Sequence, residues 1–278
     1  MATLVLVAVS GAVARRLALP VLRLLEGYWP RWLAPVSQAL IGVRTERRKR
    51  DERRYQRLAA AADHDEPGAW LAVAAVDARL RQSPERDEDR MPTGLGDILR
   101  AAETWPSAKY GLDAPKCWPR LWLVLPETAR TELSAARSSL DQGAVTWLLG
   151  AAFIVWTPWT WWAVLVAVTV PVGAYWWMLS AARSYGELIE STFDVHRSAL
   201  YRAAGFRPPE VTKSEIAAGQ ALTAYLWLGK PVGDGLLRPL DDEPAPATAA
   251  PGENSSSADG QTRLRPAADL PGASGDHG

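Results

Sequence analysis

Between Gln142 and Ala182 the chain runs for forty-one residues without an Asp, Glu, Lys or Arg. A hydrocarbon core of about 30 Å is crossed by roughly 20 predominantly apolar helical residues. At about 1.5 Å per helical residue the stretch is long enough for two crossings. Thr157-Pro158-Trp159-Thr160 breaks it off-centre, so the pattern predicts a transmembrane helical hairpin, out over about 143–157 and back over about 161–179. The outward arm is short and has to recruit Gln142 or run into the turn. The alternative, a buried helical pair in a soluble protein, needs far more surrounding apolar sequence than this chain offers.

Tryptophan placement agrees with a hairpin. Seven of the fourteen tryptophans lie in this stretch, and an apolar ring with one N–H donor settles where hydrocarbon meets headgroup. Trp156, Trp159, Trp161 and Trp162 flank the turn, and Trp176 and Trp177 follow about four turns later. We read these six as membrane-interface anchors. The turn carries no charge, whereas Arg130, Arg137 and Arg183 flank the two ends. By the positive-inside rule both ends then face the cytoplasm and the turn faces out, in a multi-pass protein of the cell membrane. No ionisable side chain lies inside the stretch, which argues against an ion or proton pathway through it.

Upstream, Thr3–Ala14 is apolar, Arg15 and Arg16 interrupt, and Leu17–Leu25 resume. Residues 1–30 are expected to hold a membrane-associated first helix, with an interfacial segment as the alternative, because twelve apolar residues reach only about 18 Å. Gly27 is the expected helix stop, and Tyr28, Trp29 and Trp32 the expected interfacial aromatics. Residues 31–126 then read as a cytoplasmic helical region. Its first helix carries Arg44–Arg57, with eight basic and three acidic residues. Two readings stand together: internal ion pairs such as Glu46 with Arg50, and attraction of Arg47, Arg48, Lys49, Arg50, Arg53 and Arg54 to anionic lipid. The net charge is zero, no recognition fold accompanies the run, and no nucleic-acid partner is expected.

Asp65-Glu66-Pro67 predicts the start of a helix to about Arg81, with Trp70, Leu71, Ala74, Val76 and Leu80 as its buried stripe. Ser83–Pro92 reads as a charged loop. Gly96–Thr104 predicts a short helix halted before Pro106, and Asp113 a cap, with Pro119 interrupting any regular helix after it. Residues 127–204 read as one long helical hairpin, membrane-embedded at about 142–182, with Pro171 kinking the return arm. The first arm is expected to run unbroken from Glu127 to Thr157, with Leu133, Ala136 and Leu140 on one face. Gly150 and Gly173 permit close helix contact. Thr212-Lys-Ser-Glu215 matches a capping box opening a last helix within 205–231, and 232–278 has the composition of a disordered tail.

The chemistry-bearing residues are sparse. The single cysteine, Cys117, rules out an intramolecular disulfide. Lys116 and Arg120 stand near enough to lower its pKa, but no histidine partner is close in sequence, so a structural thiol is the expectation. Glu187, Glu190, Asp194 and His196 lack the Glu-x-x-His spacing of a di-metal bundle, and no metal, cofactor or catalytic residue is assigned. Asp97, Arg100, Glu103, Tyr110, Asp113 and Arg120 form the densest polar set and are the candidate interaction surface, with pairs expected between Asp97 and Arg100 and between Arg100 and Glu103. The leading reading is a mainly α-helical, non-enzymatic, membrane-anchored interaction or scaffold protein. Its partners would be the lipid bilayer and either another protein or a second copy of the chain. The alternatives are a membrane enzyme using Asp97, Glu103 or Asp113, and a subunit of an oligomeric channel or transporter.

Gly96-Asp-Ile-Leu-Arg-Ala-Ala-Glu103, Trp105-Pro106, Tyr110-Gly111-Leu112-Asp113 and Trp118-Pro119-Arg120-Leu121 together resemble a family of bacterial multi-pass membrane proteins of unestablished function. In that family the same blocks precede a charged helix and a membrane hairpin, and Leu25-Glu-Gly-Tyr-Trp-Pro30 resembles its end of a first spanning helix. The likeness covers roughly 24–205. It implies membrane topology and assigns no catalytic residue.

Overall fold

The structure, a computed structural model, describes residues 11, 16–62, 68–209, 212–230 and 235–240. These fall within one unit spanning Met1–Asp241, and the described residues are mainly helical, with no strand. We number the helices α1 (16–26), α2 (Ala34–Ala62), α3 (Ala69–Leu80), α4 (Gly94–Tyr110), α5 (Ala114–Val124), α6 (Glu127–Ala152), α7 (Ala163–Ala203) and α8 (Thr212–Leu228). Most of Thr3–Ala14, the Asp65–Pro67 cap and the tail beyond residue 240 lie outside the described residues.

The antiparallel pair α6–α7 is the spine, and it packs closely where side chains vanish. A Cβ on Gly143 would stand 2.3 Å from Met178 Cγ, and one on Gly150 would stand 2.7 Å from Val170 Cγ1. Gly173, by contrast, has nothing within 4 Å and takes no part in this contact. The outward arm differs from expectation. The α-helix stops at Ala152, a 3₁₀ turn covers Phe153–Trp156, and α7 begins only at Ala163. Pro158 denies the chain an amide donor here, and the β-branched Ile154 and Val155 favour leaving the α-helix. As a result α7 alone among the described helices is long and apolar enough to cross a membrane.

Two clusters of buried side chains sit along the spine. One joins Leu22 of α1, Leu95, Ile98 and Leu99 of α4, Leu140 and Ala144 of α6, and Met178, Leu179 and Ala182 of α7. The other is built by Cys117 and Leu121 of α5, Leu133 of α6, Ile189, Phe193, Leu200 and Tyr201 of α7, and Ala218 and Leu222 of α8. Leu133 and Leu140 therefore do share a buried face, as their spacing predicts.

Both prolines expected to stop helices lie inside them. Thr93 caps α4 by accepting from the Gly96 amide at 3.0 Å, and the helix continues through the buried Pro106 to Tyr110. It ends at Gly111 (φ 71°), where the Leu112 amide reaches back to the Pro106 carbonyl at 3.2 Å. Burial of Ala102, Pro106 and Tyr110 on one face outweighs the one lost hydrogen bond. In α5, Asp113 accepts from the Lys116 amide at 3.2 Å as the expected cap. Pro119 there withholds its donor from the Pro115 carbonyl, on the exposed side of the helix where water replaces it.

Helix α3 packs against α2. Of its expected stripe, Val76 is buried and Leu80 half-buried, while Trp70, Leu71 and Ala74 are exposed. One thin partner helix with a largely polar inner face cannot cover a full apolar stripe. Within the expected disordered tail, residues 235–240 lie against the end of α7: the Arg207 amide donates to Arg238 at 2.8 Å and the Leu240 amide to Gly205 at 3.0 Å.

Candidate functional site

The six residues of the expected interaction surface do not converge. Asp97, 4% exposed, accepts from the Met91 amide at 2.8 Å and from Arg44 at 3.0 Å. It fastens α2 to α4 and does not pair with Arg100. Burial raises its pKa, and the Met91 and Arg44 hydrogen bonds only partly oppose that. Arg100 reaches Asp89 at 2.6 Å and, as expected, Glu103 at 3.4 Å. Tyr110 donates to Asp194, which also receives Lys109 at 3.0 Å. Arg197 stacks 4.4 Å from the Tyr110 ring centroid and bonds Glu215 at 2.7 Å. Asp113 pairs with Lys116 at 2.8 Å, and Arg120 closes the end of α8 by donating to the Leu226 carbonyl at 3.1 Å. Asp97, Arg100, Tyr110 and Arg120 are spent on holding separate elements together, whereas Glu103 and Asp113 pair within their own helices. Glu215, the acid of the expected capping box, faces Arg197.

Cys117 is fully buried, with Sγ 3.7 Å from Thr223 Oγ1, and burial pushes the thiol up to about 11. Lys116 and Arg120 oppose the shift, but burial outweighs them, and the thiol sits in the core as a structural group. In α2, Arg47, Lys49, Arg50, Arg53 and Arg54 are exposed. Glu46 meets Lys49 at 3.7 Å and not Arg50. Of the six basic residues expected at the lipid surface, Arg48 turns inward, bonding Glu52 at 2.8 Å, the Leu80 carbonyl at 2.8 Å and the Ser83 carbonyl at 2.7 Å. It thereby closes the end of α3. The six candidate anchor tryptophans, Trp156, Trp159, Trp161, Trp162, Trp176 and Trp177, are 45% to 77% exposed.

Room for a compact ligand lies beside two of the expected interaction-surface residues, Arg100 and Glu103. A cleft of about 260 Å³ opens where five helices meet. Glu26 and Tyr28 enter it from the end of α1, Leu99, Arg100 and Glu103 from α4, Pro115 and Trp118 from α5, Arg137 from α6, and Tyr185 and Ile189 from α7. A close backbone approach fixes its mouth: a Cβ on Gly96 would lie 1.9 Å from the Glu26 carbonyl oxygen. That same carbonyl accepts from Thr93 Oγ1 at 2.8 Å. Burial raises the pKa of Glu26, with Arg137 opposing and Glu103 reinforcing the shift, and burial likewise raises Tyr185.

Arg100 and Glu103 belong both to this cleft and to the residues expected from sequence, whereas Glu26, Trp118, Arg137 and Tyr185 were missed. Glu26 did leave a signal. An acid in the last turn of a helix opposes the helix dipole, and here it also interrupts an apolar run just before the Gly27 stop. Comparison with protein-family models, curated proteins and solved structures found no match.

Proposed function

We propose that this is a non-enzymatic binding protein anchored in a bacterial cell membrane, with its cleft on the cytoplasmic side close to the bilayer. The observation that carries the reading is the outward surface of α7 and the preceding turn. Leu165, Val168, Val172 and Trp176 on α7, and Val155, Trp156, Trp159 and Trp161 before it, are each more than half exposed. Only 28% of the most apolar window of α7 is buried, the reverse of a core helix in a soluble protein. Such a continuous apolar face is stable in hydrocarbon and a liability in water.

The return arm has the length to cross. The outward arm supplies eleven charge-free α-helical residues, 142–152, and four 3₁₀ residues, together about 24 Å, and uses the Trp-lined turn for the remainder. The likeness to bacterial multi-pass membrane proteins supports the same topology. The binding reading over an enzyme is supported by the three carboxylates available for acid–base chemistry. Asp97, Glu103 and Asp113 are held in separate places, paired with Arg44, Arg100 and Lys116 respectively.

Single cysteines in a Cys117→Ser background test the placement. Thr160→Cys is expected to react with a membrane-impermeant maleimide added to intact cells, and Arg50→Cys only after lysis. Release of the protein from membranes by alkaline carbonate would end the proposal, and labelling at Arg50→Cys alone would invert the orientation.

A further inference from the structure

The cleft has an unusual balance of charge and surface. Two arginines reach it, and each is already engaged by a carboxylate: Arg100 with Asp89 at 2.6 Å, Arg137 with Asp141 at 3.6 Å. Glu103 takes a share of Arg100 at 3.4 Å. Glu26 is the remaining acid, and among the described residues its carboxylate has neither a hydrogen bond nor an ion pair. Arg137 and Arg23 act on Glu26 only through space, and its carboxylate borders a recess whose walls are Leu99, Trp118, Tyr185 and Ile189.

We propose that the cleft binds an organic cation: a primary ammonium on a short apolar or aromatic body, with the ammonium between Glu26 and Glu103 and the body against Trp118 and Tyr185. The inference rests on the cleft being the binding site proposed above and names its ligand class. Three features favour this ligand. An ammonium supplies the donors that a half-buried, unpaired carboxylate lacks. Ring faces attract cations, most strongly when water is excluded. At about 260 Å³ the recess falls just short of the roughly 300–1,000 Å³ usual for small-molecule sites, which restricts it to a compact guest. An anion would have to draw Arg100 or Arg137 away from the acids that hold them.

The test uses the full chain in lipid nanodiscs and three probes of one shape: 2-phenylethylamine, 2-phenylethanol and 3-phenylpropionate, titrated by calorimetry. Saturable binding of the amine is expected, weaker by about tenfold or more for the alcohol, as befits loss of a charge-assisted bond. Glu26→Gln, checked for an unchanged melting temperature, should weaken the amine by about the same factor and leave the alcohol unaffected. Glu103→Gln provides the equivalent measurement from the α4 wall if the first variant does not fold. Equal affinity for amine and alcohol, unchanged amine affinity in the folded variants, or preference for the carboxylate would overturn the cation assignment while leaving the cleft a binding site. No saturable binding by any of the three would remove both readings.

Discussion

Asp97 holds the Met91 amide and, together with the Pro92 carbonyl, the Arg44 guanidinium. Asp97→Ala is expected to destabilise the protein by about 2–3 kcal/mol, the cost of stranding a buried donor and a charge. Asp97→Asn, which can still accept from Met91, should lose less in the same thermal denaturation. The sign of its pH dependence follows from burial. Since the folded pKa is raised, the contribution of Asp97 is complete below the ordinary aspartate value of about 3.9 and is lost as pH rises through the raised value. Asn at this position should flatten that limb of the stability profile. Cys117 gives a second residue-scale expectation. With the thiol near 11 and fully buried, reaction with iodoacetamide at pH 8 should be negligible in the folded protein and rapid once denaturant is added. Measurable labelling of the native state would contradict the buried geometry.

At the scale of elements, α8 is seated by two glycines on opposite sides of one contact. A Cβ on Gly219 would stand 1.9 Å from the Tyr110 carbonyl oxygen, and one on Gly111 would stand 2.1 Å from that of Ile216. Backbone cannot move aside as a flexible side chain can, so Gly219→Ala should cost about 1–3 kcal/mol and raise hydrogen exchange in α8 before the rest of the molecule. Gly173→Ala, with open space around it, should stay within about 0.5 kcal/mol of wild type. These elements also show what was legible beforehand. Gly27 stops a helix, and Asp113 caps one, because those choices are made by atoms a few positions apart. Pro106 misled because its penalty is local while the burial that outweighs it comes from other helices, and Pro119 because its lost hydrogen bond falls on the exposed side of α5. The Arg44–Asp97 fastening joins residues 53 positions apart, and the cleft draws on five helices. No spacing rule encodes either.

For the whole molecule, the proposed bilayer places α2 close to the headgroups. Its face continues from exposed Val36, Leu40 and Val43 into exposed Arg47, Arg50 and Arg54 at helical spacing. Amide exchange in α2 should therefore slow in nanodiscs containing anionic lipid relative to zwitterionic ones. The triple variant Arg50→Glu, Arg53→Glu, Arg54→Glu should erase the difference, at about 1 kcal/mol per basic residue near the surface. Exchange that ignores lipid charge would take α2 off the bilayer.

The uninterrupted run of α7 through both side-chain clusters carries a consequence for how such a chain can change its length. One residue inserted between Ala182 and Ile189 turns everything after it by about 100°. Ile189, Phe193 and Leu200 would leave their places while Met178 and Ala182 kept theirs. An addition of seven residues comes close to restoring the phase, but it lifts the rest of the helix by about 10 Å. Leu133 of α6 then faces the wrong rungs of α7 unless α6 grows by the same amount between Leu133 and Leu140. Lineages carrying this spine should therefore differ in α6 and α7 by matched pairs of turns, while gaps of any size accumulate freely after residue 240.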